Sequence, residues 1–142
     1  MNLQRRIWLT GASSGIGLAL AEQLAAQGHR VAMTARRREP LLALAERYPD
    51  QVLVVTADLT DIHAVREAAE RIDTAWGGLD WAILNAGTCE YMELPHFSAA
   101  PAFRTVYWRR SGSRTTALAI ITGAKSFNFY CFFDTLKNLF QR

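Results

Sequence analysis

Cysteine, lysine and long apolar runs are all scarce in this 142-residue sequence, and each shortage removes a class of protein. Cys89 and Cys131 are too few and too far apart for a disulfide framework or a paired-cysteine metal site. A reduced, cytoplasmic setting is therefore expected. No stretch of about 18 apolar residues is present to cross a bilayer. Arg5 and Arg6 precede only a short apolar-leaning run before Gly11, so no secretory leader is expected. His29, His63 and His96 stand apart without metal-ligand spacing, and no metal site is expected. A Walker phosphate loop is also missing, because "GAKS" at 123–126 separates its glycine from its lysine.

Lysine is confined to Lys125 and Lys137, and this confinement exposes a break in composition. Residues 1–97 hold nine arginines and no lysine against twelve acids, whereas residues 98–142 hold seven basic residues against Asp134 alone. Six of the seven phenylalanines also lie in the second part. Its basic residues follow neither a helical nor a strand period, so neither nucleic acid nor a membrane is expected as a partner.

Half the residues are hydrophobic and a fifth are charged, the balance of a globular protein. A chain of this length forms one domain and buries roughly 68–70% of its unfolded surface. The first hundred residues alternate strand and helix. "RIWLT" (6–10) is short, apolar and stopped by a glycine, and it predicts a buried strand. Residues 15–27 predict a helix with a stripe of Ile16, Leu20 and Leu24, ended by Gly28. Strands follow at 30–35 and 51–57, with a helix at 39–48 between them whose Pro40 falls in the first turn. Thr60 is a candidate cap for a helix over 61–75 with Ile62, Val65, Ala69 and Ile72 on one face, and "LDWAILN" (79–85) predicts a fourth strand. This order predicts βαβ units and an α/β fold, a doubly wound parallel sheet covered on both faces. Past Ser98 the order fails. "SAAPAFRTVYWRR" begins like a capped helix, "RRSGSR" reads as loop, "ALAIIT" (117–122) as a fifth strand, and "FNFYCFFDTLKNLF" has no informative period.

"TGASSGIG" joins the first strand to the first helix with Gly11-x-x-x-Gly15-x-Gly17. A helix N-terminus leaves amides without internal partners and carries about half a positive charge, so it attracts anions. Glycines let the backbone come close to a pyrophosphate. The second strand ends "TARRR" with no acid before Glu39. An acid at this tip binds the ribose of NAD, whereas an arginine such as Arg36 accommodates the 2′-phosphate of NADP. Asp58, directly after the third strand, can accept from an adenine amino group. "NAG" closes the fourth, where Asn85 can bond neighbouring backbone and Gly87 lets the chain pass close to a ribose.

In this order "TGASSGIG", "ARR", "ADLTD" and "LNAG" resemble the short-chain dehydrogenase/reductase family over residues 5–105, with "FSAAPAFRTV" similar to the start of the family's next helix. The resemblance implies a Rossmann fold with strand order 3-2-1-4. It implies that Gly11, Ser13, Ser14, Gly15, Ile16 and Gly17 hold the phosphates and adenosine ribose, and that Arg36 reads the 2′-phosphate. Asp58 and Leu59 would meet the adenine, and Asn85, Ala86 and Gly87 the region leading to the nicotinamide. The implied cofactor is NADP, ahead of NAD, and the implied activity is hydride transfer with a small carbonyl or alcohol.

The family's acid–base pair is a tyrosine with a lysine four residues later, on one helix face. Here Tyr48, Tyr91, Tyr107 and Tyr130 are followed at that distance by Val52, Pro95, Ser111 and Asp134. No asparagine occurs between 86 and 127, and Ser111, Ser113 and Ser126 lack partners, so no catalytic residue is assigned. The expectation is a dinucleotide-binding part over 1–105 and a divergent tail over 106–142, the chain leaving the family near Thr105 as after a reading-frame change. It would be a truncated, catalytically impaired oxidoreductase, a non-catalytic NADP(H)-binding module, or a product without activity. An apolar edge at 81–84 would then be open to self-association unless "ALAIIT" covers it.

Overall fold

Arg6–Thr10 carries apolar side chains at consecutive positions, and such a strand is stable only where both its faces are covered. In the computed structural model, which describes residues 4–86 and two further strands, this segment is the central strand β1. It is followed by α1 (Gly15–Ala26), β2 (Arg30–Ala35), α2 (Glu39–Arg47), β3 (Val52–Thr56), α3 (Ile62–Trp76) and β4 (Trp81–Leu84). Two strands complete the order, β5 (Val106–Arg109) and β6 (Thr116–Ala119). The sheet runs β3-β2-β1-β4-β6-β5 and is parallel except between β5 and β6. Its first four strands take the 3-2-1-4 order, and the α/β, Rossmann-like architecture is as the alternation predicts.

Successive residues of β1 go to opposite sides. Ile7 and Leu9 join Val31, Met33 and Ile83 under α1 and α2, meeting Ala21, Leu24, Leu41 and Leu44. Trp8 goes the other way, into a core with Val55, Leu84 and the α3 residues Val65, Ala68, Ala69 and Ile72. A fully buried indole fits in the middle of a sheet because its neighbours on both sides are small. Trp8 pairs with Ala32 on β2 and with Ala82 on β4. Its Nε1 donates to Thr34 Oγ1 at 2.8 Å, so the polar edge of the ring is satisfied inside the core.

Several sequence expectations are corrected. Ile16 does not belong to the buried stripe of α1, being 76% exposed. That helix buries Gly17, Ala21, Leu24 and Ala25, because it is apolar nearly all round and packs through its smallest side chains. Thr60 does not cap α3. Asp61 does, accepting from the His63 amide at 2.8 Å, while Thr60 is bonded to Asp58. The helix expected to begin near Ser98 does not include Val106–Arg109, which is a strand, and residues 98–105 lie outside the described residues. The expected fifth strand is Thr116–Ala119, and residues 120–122 lie outside the described set. This strand covers the β4 edge, the alternative the sequence offered through "ALAIIT": Trp81–Leu84 pairs in parallel with Thr116–Ala119.

Arg6 ties the start of β1 to the approach to β4. Its backbone amide donates to Asp80 Oδ2 at 2.8 Å, its guanidinium reaches both carboxylate oxygens, and Nη1 donates to the Trp76 carbonyl at 3.1 Å. Burial pushes the Asp80 carboxyl up, but the side-chain and backbone hydrogen bonds from Arg6, with the charges of Arg6 and Arg5, hold it below its ordinary value. A carboxyl lowered on folding contributes stability above its unfolded pKa of about 3.9 and loses it as pH falls through the folded value.

Two outcomes follow for unfolding in urea. Trp8→Ala should cost about 3–5 kcal/mol, because the site is flanked by backbone and alanines and cannot collapse onto the void. Trp8→Phe should cost less, leaving Thr34 without its donor. Asp80→Asn should be less stable than the parent at neutral pH yet lose less stability below about pH 4, where the parent's carboxylate takes up a proton.

Candidate functional site

Every described residue that the sequence offers for coenzyme binding lies at or just beyond the carboxyl ends of the parallel strands. The corner of residues 11–17 follows β1, Arg36 follows β2, Asp58 and Leu59 follow β3, and Asn85 and Ala86 follow β4. The chain leaves β1 through α1 on one face, whereas it enters β4 from α3 on the other. Between β1 and β4 the winding reverses, and a crevice opens at such a point in doubly wound sheets.

Backbone touching backbone builds this crevice. Gly11 has φ +66°, and a Cβ there would stand 2.7 Å from the Ala86 Cα and 2.8 Å from its nitrogen. Gly17 is tighter still: a Cβ would lie 2.1 Å from the Gly11 carbonyl oxygen and 2.5 Å from Asn85 Nδ2. Asn85 Nδ2 donates to that same carbonyl at 3.2 Å, joining the end of β4 to the corner. Thr10 draws the strand ends together from beneath. Its buried Oγ1 accepts from the amides of Asn85 at 3.1 Å and Ala86 at 3.2 Å and donates to the Ile83 carbonyl at 3.5 Å. On the other side the Thr34 carbonyl accepts from Gly11 at 2.9 Å and Ala12 at 3.4 Å.

The start of α1 is left open. Ser14, extended at φ −164°, makes no side-chain capping bond, and no acid occupies the first turn. The first-turn amides of Gly15, Ile16 and Gly17 therefore have neither an intrahelical acceptor nor a capping side chain. Ser13 is half-buried, Ser14, Gly15 and Ile16 are exposed, and nothing lies within 4 Å of a Cβ placed on Gly15. An anion has both room and donors here.

On the far side of β1, β2 and β3 pair Ala35 with Thr56, and the Ala57 amide donates to the Ala35 carbonyl at 3.2 Å. Arg36 and Asp58 thus emerge side by side, both exposed. Asp58 Oδ1 accepts from the Thr60 amide at 2.9 Å and from its hydroxyl at 2.8 Å. The Thr60 amide, the Thr60 hydroxyl and the charge of Arg36 together outweigh desolvation and hold the Asp58 carboxyl below its ordinary value. Leu59 spends part of its side chain on the α3-side core. Gly87 lies outside the described residues, as do Tyr91, Ser111, Ser113, Ser126 and Tyr130; of Tyr107 only the backbone, in β5, is described. Among the described residues no helix is long and apolar enough to cross a membrane, and no cluster of three or more potential ligands could hold a metal.

Sequence reasoning passed over Thr10 and Thr34 and took Thr60 only as a helix cap. A signal for the first was available: a hydroxyl ending a buried strand must find partners, and the nearest unpaired groups are those of the next strand's end.

Gly17→Ala is expected to abolish ligand binding at this corner and to destabilise the fold, since the clash is with backbone. Gly15→Ala meets open space and should cost only the left-handed conformation, about 1–2 kcal/mol. Thermal melting of the two variants separates these effects.

The short chain dehydrogenase family model matches residues 5–111, ending six residues past Thr105. The chain is 32% identical over 105 residues to the cis-2,3-dihydrobiphenyl-2,3-diol dehydrogenase of Paraburkholderia xenovorans, a match covering 71% of this chain and 38% of that protein. A short chain dehydrogenase from Burkholderia cenocepacia, solved in complex with NADP, is similar at TM-score 0.59 and 36% identity, covering 70% of this chain and 43% of that one. The L-sorbose reductase of Gluconobacter frateurii, complexed with NADPH and L-sorbose, matches at TM-score 0.58 and 31% identity over 68% of this chain and 38% of that one. The chain thus spans about two fifths of the length of these relatives. With a family match over most of its length and the glycine corner built against the end of β4, the chain belongs to the short-chain dehydrogenase family.

Proposed function

We propose that the crevice between β1 and β4 binds NADP(H), and that the chain carries the coenzyme-binding half of an oxidoreductase acting on a small carbonyl or alcohol. The observation that carries this reading is the uncapped start of α1, opened by Gly11 and Gly17 against Asn85 and Ala86. On this reading Gly11, Ser13, Ser14, Gly15, Ile16 and Gly17 bind the diphosphate and adenosine ribose, and Arg36 pairs with the 2′-phosphate. Asp58 and Leu59 face the adenine, and Asn85, Ala86 and Gly87 flank the nicotinamide end. NADPH, when bound, supplies the hydride; these residues bind and orient it. The solved relatives bound to NADP or NADPH support NADP as the ligand, and the missing acid between Ala35 and Glu39 favours it over NAD.

A specific observation favours a second reading, a non-catalytic NADP(H)-binding module. No tyrosine in these 142 residues has a lysine four positions later. General acid–base help contributes about 10²–10⁴-fold, so carbonyl reduction by this chain alone is proposed to be impaired. Residues 1–105 act as the dinucleotide-binding part and 106–142 as a divergent tail, in a cytoplasmic protein.

NADPH titrated into the chain should show enhanced, saturable fluorescence and should raise the melting temperature. Arg36→Ala should weaken NADPH binding by roughly ten- to hundredfold, the worth of a charge-assisted contact, with little change for NADH. Equal losses for both would remove the 2′-phosphate assignment, and no binding of either at millimolar concentration would remove the function. A carbonyl-reduction assay separates the two readings.

A further inference from the structure

The exposed pair at the ends of β2 and β3 is more than two separate contacts. The Ala35–Thr56 pairing and the Ala57-to-Ala35 hydrogen bond bring Arg36 and Asp58 out of the sheet as neighbours. Thr60 then fixes the carboxylate in place, since its amide and hydroxyl both bond Oδ1. Among the described residues Arg36 and Asp58 make no direct ion pair, yet the arginine's charge is felt at the carboxylate. Arg36 therefore stands beside a fixed negative charge before any ligand arrives. From this geometry we infer that Asp58, held by Thr60, is a counter-charge to Arg36 that weakens the preference for dinucleotides carrying a 2′-phosphate.

The physical reasoning is simple. A phosphate entering beside Arg36 has to share the guanidinium with a carboxylate that is already there. A dinucleotide with a bare 2′-hydroxyl meets no such competition. Arg37 and Arg38 follow Arg36 on the same exposed stretch and raise the local positive potential, so an acid placed here moderates a field that would otherwise select strongly for the phosphorylated ligand. The inference rests on the proposed NADP(H) site and adds to it a determinant of coenzyme choice.

The ratio of NADH to NADPH dissociation constants isolates this effect, because any contact of Asp58 with the rest of the ligand is common to both and cancels. Asp58→Asn keeps an acceptor oxygen for the Thr60 amide and removes the negative charge. Its ratio, measured on the full chain by coenzyme fluorescence, should rise roughly two- to fivefold, the range for an exposed charge pair. In an Arg36→Ala background the same change should leave the ratio nearly constant. An unchanged ratio in Asp58→Asn overturns the inference. So does an equal rise with and without Arg36, which would mean that the carboxylate acts on the phosphate directly. Failure of the parent chain to bind either coenzyme is a different result: it defeats the NADP(H) reading itself, and this inference with it.

Discussion

The structure depends on one close approach, the seating of the Gly11 carbonyl between Gly17 and the Asn85 side chain. With no Cβ at Gly17, α1 comes down onto the end of β1. With no Cβ at Gly11, Asn85 and Ala86, just after β4, lie against the corner. The two strands that meet here belong to opposite directions of winding, so the contact closes the sheet's topology and opens the crevice at once. Thr10 and Thr34 supply the hydrogen bonds that make the approach stable. Each takes two amides, Thr10 through its hydroxyl and Thr34 through its carbonyl, that would otherwise be left near a buried surface.

The core beneath the crevice keeps it in register. Trp8 fixes Thr34 from below through its indole N–H, and the Thr34 carbonyl receives the amides of Gly11 and Ala12. A central packing residue is thus two hydrogen bonds from the binding corner. A large ring here is unusual in that it must be matched by alanine on both flanking strands. Ala32 and Ala82 provide the match, so the three positions work as one volume shared across β2, β1 and β4.

What the sequence makes legible is what short-range chemistry decides. The bounds of β2 are read correctly because Gly28 ends the helix before it and the arginine run ends the strand itself. The four motifs fall at four strand ends, and their order alone puts them on one edge of the sheet. Contests between neighbours are harder. Thr60 and Asp61 are both good caps, and the carboxylate wins the helix while Asp58 takes Thr60. In α1 the packing face is Gly17, Ala21, Leu24 and Ala25, so of the expected stripe Leu24 is buried and Ile16 is left to solvent. The Trp8–Thr34 bond, 26 residues apart, and the pairing of Thr116–Ala119 with β4 are long-range and have no local signature.

Binding and turnover are physically separable in such a chain. Among the described residues, the contacts that shape the crevice come from residues 8–86, and none depends on a group that must change protonation during a reaction. The open first-turn amides of α1 are fixed by helix geometry, and the strand ends are fixed by two threonines and a glycine pair. Proton transfer to a carbonyl oxygen makes a different demand: a phenol and an ammonium one helical turn apart, with their charges coupled. The tyrosines of this sequence are not so placed. On the proposed reading, the coenzyme grip and the acid–base step are distinct inventions on one sheet, and the fold of the first survives without the residues of the second.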